Sequence, residues 1–152
     1  MTQRQEVSFN VYNKTAGIVS NGQTFPFDII DFNTGGGTYD TTNLRYTFAV
    51  AGNYLIGVSY VTIGGNNFVA ALCNIRLTRN GVTTTINTTI NAEQIYENVT
   101  TKTCFVYQFE VGDIIFCVAL QKPKMNRFAY TTNDIYNSFW GIRLDYLKNR
   151  KI

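Results

Sequence analysis

The chain of 152 residues has no histidine at all. Serine–histidine and cysteine–histidine catalytic pairs and imidazole metal sites need that ring near neutral pH, so most familiar hydrolase and zinc-enzyme chemistries are excluded. Charge is scarce as well: charged residues make up 15 % of the chain, well under the globular average of about 25 %. The formal charge is +3, and Lys148, Arg150 and Lys151 near the C-terminus account for all of it. The preceding body is neutral and lacks the basic stripe that nucleic-acid binding requires. No apolar run reaches the roughly 18 residues of a membrane span, and Met1 to Glu6 are polar, so neither insertion into a membrane nor a signal peptide is expected of the chain as written. There are two prolines, Pro26 and Pro123, and both fall in loops or at strand edges. Three cysteines, Cys73, Cys104 and Cys117, have no close pair spacing and cannot all pair within one chain; buried free thiols are expected.

What is abundant points the other way. Aromatic residues reach 14 %, mostly Phe and Tyr, and Asn with Thr supply roughly a quarter of the chain, types that favour turns and pleated surfaces over helices. The pattern predicts an all-β chain with strands near 7–12, 27–32, 44–50, 53–62, 68–78, 82–90, 99–109, 113–120 and 138–147. Turn signals separate them: Asn21-Gly22, the Gly35–Gly37 triplet, Gly52-Asn53, Gly64 to Asn67, Asn80-Gly81 and Gly112-Asp113. A helical turn over 92–97 is too short to matter. Alternation in 104–109 makes Phe105, Tyr107 and Phe109 the core face. Strand 114–120 is apolar on both faces, Ile115, Cys117 and Ala119 on one and Ile114, Phe116, Val118 and Leu120 on the other, which calls for cover by a loop or another subunit.

The stretch from Phe27 to Asn33, then Gly36-Gly37, Tyr39-Asp40 and Arg45 to Tyr54, resembles the C1q globular-head family. Ile75 to Gly81, Phe105 to Phe116 and Phe139 to Leu144 continue the likeness in the right order, over about 7–147 of the chain. The resemblance implies a ten-stranded jelly-roll sandwich of the C1q/tumour-necrosis-factor type that assembles as a homotrimer. The expected organisation is a tail over 1–6, the jelly-roll domain over 7–147 and a basic tail over 148–152. Carried over by motif, Leu55, Gly57, Ser59, Val61, Cys104, Val106 and Phe139 would face the neighbouring subunits. Tyr54, Ile56, Val58 and Tyr60 would then face the core, with Trp140, Ile142, Leu144 and Tyr146. The small Gly57 and Ser59 would admit a neighbouring backbone.

No nucleophile–base set and no phosphate-binding glycine loop is present, so an enzyme is not expected. The carboxylate pairs Asp28/Asp31 and Glu93/Glu97 read as solvated faces. The best ligand segment is 121–137, which combines cations with aromatics and Asn, a mixture suited to anionic or sugar-like ligands, with Lys122, Lys124, Arg127, Tyr130 and Asp134 as the candidate residues. No cofactor is indicated. Some heads of the resembled family bind calcium near the three-fold axis, and although no clustered acidic motif marks it here, one Asp per subunit would suffice. The expected role is a non-enzymatic trimeric head that binds a surface protein or glycan multivalently, outside a cell or on a particle such as a virion or spore. The alternative is a structural trimerisation or coat module with no dedicated ligand.

Overall fold

The computed structural model describes residues 5–13, 17–18, 22–62, 70–91, 99–122, 127–128 and 137–145. Every element among them is a strand. There are twelve, two of only two residues: β1 (Ser8–Asn13), β2 (Gly17–Ile18), β3 (Ile29–Thr34), β4 (Thr38–Asp40), β5 (Arg45–Thr47), β6 (Gly52–Thr62), β7 (Ala70–Arg79), β8 (Val82–Asn91), β9 (Val99–Phe109), β10 (Ile114–Lys122), β11 (Arg127–Phe128) and β12 (Asn137–Arg143). The nine expected runs all contain a strand. The additions are the short pieces β2, β4 and β11. The last strand ends four residues earlier than alternation suggested.

Two antiparallel sheets result. One has seven strands, in the order β2-β11-β6-β12-β1-β3 with β9 on the other side of β6; the second runs β4-β5-β10-β7-β8. This is a β-sandwich of the jelly-roll kind, with the core between the inner faces. Residues Gln23 to Phe25 lengthen the second sheet by bridging β10 at Thr24–Val118, and the Gly22 and Phe25 amides donate to the carbonyls of Ala119 (2.6 Å) and Cys117 (2.8 Å). The hairpin between β7 and β8 turns at Asn80 and Gly81, whose φ values of 52° and 78° lie in the left-handed region that Asn and Gly tolerate best.

The core is aromatic, as the composition foretold. Phe9 stacks on Tyr46 at 3.9 Å between ring centroids and Phe48 on Phe109 at 4.1 Å, while Phe139 meets Phe9 edge-on at 5.4 Å. Alternation placed the inward residues of β6 and β9 correctly: Tyr54, Ile56, Val58, Tyr60 and Phe109 are buried, with Phe105 and Tyr107 packed against them; on β10, where alternation left both faces open, Ile115, Cys117 and Ala119 are the inward set. The outer face of β10 is covered in part by its own chain, since the Arg45 guanidinium lies 4.9 Å from the centre of the Phe116 ring.

Burial has electrostatic consequences. Desolvation pushes the Tyr46 hydroxyl up to about 12 and raises Tyr39 and Tyr54 further. The Tyr39 hydroxyl donates to the Phe27 carbonyl at 2.7 Å, whereas the Tyr46 hydroxyl is buried without a partner among the described residues. At the far end of the sandwich, buried Asp113 accepts from Arg79 Nε (3.0 Å) and Nη2 (2.6 Å) and from the Glu110 amide (2.8 Å). That fork ties the β9–β10 turn to the end of β7.

Candidate functional site

Register determines which residues share the outward face of the seven-stranded sheet. Across β1, β12, β6 and β9 one row reads Asn10, Trp140, Gly57, Cys104; on its two sides run Tyr12, Ser138, Ser59, Lys102 and Ser8, Ile142, Leu55, Val106. On the edge strand β3, Ile29 and Phe32 extend two of these rows beside Tyr12 and Asn10. Lys102 is the single charge in the three rows, and the exposed Asp31 carboxylate of β3 reaches their edge by accepting from Asn10 Nδ2. Cys104 is exposed, Val106 is 58 % exposed and Phe32 46 %, while Leu55, Trp140 and Ile142 are half-buried. Four strands by three rows span ~400 Å² of sheet, on which Tyr12, Leu55, Cys104, Val106, Trp140 and Ile142 stand among the polar Ser8, Asn10, Ser59, Lys102 and Ser138.

Most of the expected subunit-side residues lie on this face: Leu55, Gly57, Ser59, Cys104 and Val106. Val61 is in β6, but its side chain lies outside the described residues. Phe139 is a correction. It is 1 % exposed and belongs to the core, paired with inward-facing Val58, while Trp140 and Ile142, expected inside, occupy the outward face. The reading of β12 was one residue out of phase. Phe139, Trp140 and Ile142 make that strand apolar on both sides, so alternation alone has no preferred phase, and a slip of one residue inverts every side chain. The inward phase is required by Gly141, where a Cβ would stand 2.6 Å from Phe9 and 2.9 Å from Ile56.

Gly57 also has a different reason from the one expected. The indole of Trp140 lies over it, and a Cβ at Gly57 would overlap ring carbons Cζ2 and Cε2 and sit 2.6 Å from Nε1. The missing side chain makes room for the chain's own tryptophan. Beside that ring is a largely apolar cavity of about 280 Å³ bounded by Val58, Ser59, Lys102, Thr103, Cys104 and Trp140. The cysteines are corrected in part: Cys73 and Cys117 are buried, Cys104 is not. Burial, with a hydrogen bond that the Cys117 thiol donates to Cys73, raises the Cys117 thiol well above its ordinary value, which keeps it protonated and unreactive.

The ligand segment is less fully in view. Lys122 closes β10 and Arg127 opens β11, so the stretch read as one loop contains strand backbone at both places. Their side chains, and Lys124, Tyr130 and Asp134 entirely, lie outside the described residues, as do the 92–97 turn and Glu93/Glu97. Asp28 and Asp31 are exposed, Asp31 accepting from Asn10 Nδ2 at 3.1 Å. Among the described residues no cluster of three or more Cys, Asp or Glu could hold a metal, and no helix is long and apolar enough to cross a membrane.

No family profile matches the chain, and no curated protein sequence matches it either. Solved structures do. The Eiger TNF of S. frugiperda superposes with a TM-score of 0.72 at 10 % identity, over 92 % of this chain and 93 % of that one. The globular domain of zebrafish complement 1qA gives 0.71 at 12 % identity over 92 % and 98 %, and murine APRIL at pH 5.0 gives 0.69 at 12 % over 92 % and 100 %. The chain has the C1q/TNF-like domain fold.

Proposed function

We propose that this C1q/TNF-like chain is a non-enzymatic recognition head that trimerises through the outward face of its seven-stranded sheet. One observation carries the reading: three adjacent rows on that face, centred on Trp140, Gly57 and Cys104, hold a single charge and several half-exposed apolar side chains. Depletion of charge with retained aromatic and aliphatic surface is the composition of a subunit-interface core. The fold adds support, because the trimer is what the family resemblance implies for such a sheet. The interface residues are then Leu55, Gly57, Ser59, Cys104 and Val106, joined by Trp140 and Ile142.

In this reading residues 7–147 form the head, and 1–6 and 148–152 are tails. The ligand, a surface protein or glycan, is held by segment 121–137 through Lys122, Lys124, Arg127, Tyr130 and Asp134, outside a cell or on a particle surface. Three copies let weak contacts act together, with gains on the order of 10²–10⁴ where the geometry allows simultaneous engagement.

Light scattering during gel filtration tests the assembly. Three chains of 17.2 kDa give about 52 kDa, and that mass is the expected result. Val106→Glu places a charge on the face without touching the core and is expected to shift the protein to a folded monomer. A parent that elutes as a stable monomer overturns the reading, and so does a Val106→Glu variant that keeps the parent's mass. Repeating the run with a calcium chelator separates a purely side-chain interface, which keeps its mass, from one held by a shared axial cation.

A further inference from the structure

The outward face of the second sheet carries its own constellation, which the trimer reading does not use. Pairing continues from Ile115–Tyr46 and Phe116–Arg76, so that Asp40, Arg45, Phe116 and Arg76 lie in one row across β4, β5, β10 and β7, with exposed Thr85 on β8 next to Arg76. Arg45 and Arg76 therefore flank the same ring from opposite sides, two strand spacings or about 10 Å apart at the backbone.

Neither arginine is consumed by the fold. Arg76 has no hydrogen-bond acceptor and no carboxylate partner among the described residues, and its Nε is shut away from solvent without a partner. Arg45 makes one long bond, Nε to the Asn43 carbonyl at 3.5 Å. The nearest acid, Asp40, is occupied: its carboxylate accepts from the Thr42 amide (2.8 Å), the Asn43 amide (3.0 Å) and Asn43 Nδ2 (2.8 Å), and these bonds hold it below its ordinary range. The cost lies at Arg76, whose buried Nε has no acceptor among the described residues; Arg45 is half-exposed, rests on the Phe116 ring and feels the Asp40 charge, but makes no direct ion pair among the described residues that would fill its fork.

The two groups are also oriented in advance. Arg45 lies against the Phe116 ring at 4.9 Å, and the buried Nε of Arg76 restrains its stem. Stacking and burial remove side-chain freedom that a ligand would otherwise have to freeze. Around the pair the face is hydroxyl- and amide-rich. Thr78 and Thr83 share a hydroxyl bond of 2.7 Å, and Thr88 donates to Asn74 at 2.9 Å.

We propose that the Arg45–Phe116–Arg76 row is a binding site for an acidic saccharide, its two guanidinium forks taking the anionic groups and the flanking hydroxyls the sugar. Forked hydrogen bonds suit planar carboxylates and sulfates alike, so the shared chemistry is an anionic sugar. The site deepens the recognition-head reading and rests on it, but it lies on the sheet opposite the proposed subunit face. Binding is read per chain whatever the mass, so either idea can fail alone.

The test is equilibrium binding of the full chain to labelled oligosaccharides of equal length at low salt: one bearing only uronate carboxylates, one sulfated, one neutral. Binding of at least one acidic probe and none of the neutral one is expected, and which acidic probe binds identifies the group. The pair Arg45→Gln with Arg76→Gln is expected to weaken that binding at least tenfold. The pair Arg45→Lys with Arg76→Lys, which keeps the charge and loses the fork, should weaken it at least threefold. Changing Lys148, Arg150 and Lys151 to Gln should alter it less than twofold. A thermal melt checks folding, and if the glutamine pair does not fold, Arg45→Gln alone is expected to cost threefold or more. Absence of binding to both acidic probes overturns the site. So does full retention by the lysine pair, loss through the tail variant, or an acidic peptide of equal charge binding as tightly as the saccharide.

Discussion

Replacing Gly57 by Ala adds one methyl group, and the structure says what that methyl meets. It would overlap the Trp140 ring and stand 2.6 Å from Nε1, too close for either atom to remain in place. The backbone at Gly57 is the middle of β6, tied on one side to β12 and on the other to β9, so it cannot retreat. The indole must therefore tilt away from the sheet. Inserting a methylene into a packed contact costs about 1–3 kcal/mol; replacing glycine in a strand returns roughly 0.5–1 kcal/mol of backbone entropy. The net expectation is a loss of about 0.5–2 kcal/mol. For a domain of this size that lowers the melting temperature by roughly 1–8 °C. Trp140 is the chain's single tryptophan, so its fluorescence reports the movement without ambiguity. Emission in the native state should shift to the red as the ring leaves the sheet, and light scattering should show a smaller mass if the face is a subunit contact. A cycle with Trp140→Leu isolates the collision: in that background Gly57→Ala should cost little or become stabilising. Unchanged emission together with additive single and double variants would refute the placement of the indole over Gly57.

Other consequences can be checked on the same protein. Arg79→Ala leaves the 2 % exposed carboxylate of Asp113 with the Glu110 amide as its remaining donor among the described residues. Because Arg79 itself is one-third exposed, the cost should fall at the lower end of the range of about 3–5 kcal/mol for breaking a buried pair, and a change under about 0.5 kcal/mol in urea unfolding contradicts that role. Tyr46→Phe removes a buried hydroxyl that has no partner and should leave stability unchanged or raised, while Tyr39→Phe forfeits its bond to Phe27 and should cost about 0.5–1.5 kcal/mol; the reverse order in a melt would sink the assignment. Alkaline stability follows from the same tyrosines. Their folded pKa values lie above the unfolded value near 10, so above about pH 10 the unfolded chain gives up protons that the folded one keeps. Stability should be intact below that pH and fall as pH rises through about 12 for Tyr46. Phenolate absorbance that titrates fully near pH 10 with no loss of structure would contradict it.

The fold class and much of the strand map were legible in the sequence because they rest on local properties. Turn pairs such as Asn80-Gly81 and the alternation of Phe105, Tyr107 and Phe109 act over a few residues, and the structure keeps both. Strands β2, β4 and β11 escaped notice because pieces of two or three residues are too short to show a period. β2 and β11 exist only through partners far along the chain, while β4 is the short arm of a local hairpin with β5. The outward position of Leu55, Gly57, Cys104 and Val106 was also readable, since β6 and β9 are apolar and aromatic on one side and mixed on the other.

The remainder belongs to register. β12 carries large apolar residues on both faces, so only its pairing with β6 could place Phe139 inside and Trp140 outside, and only that pairing explains why position 57 is glycine. The same holds for the Arg79–Asp113 fork and the row of Arg45, Phe116 and Arg76, whose members are separated by dozens of residues and meet across neighbouring strands. Composition and short-range pattern determined that this chain folds as a β-sandwich with an aromatic core. Which side chains meet on its surfaces was decided by long-range strand pairing, because alternation specifies two faces and leaves the choice between them to what lies opposite.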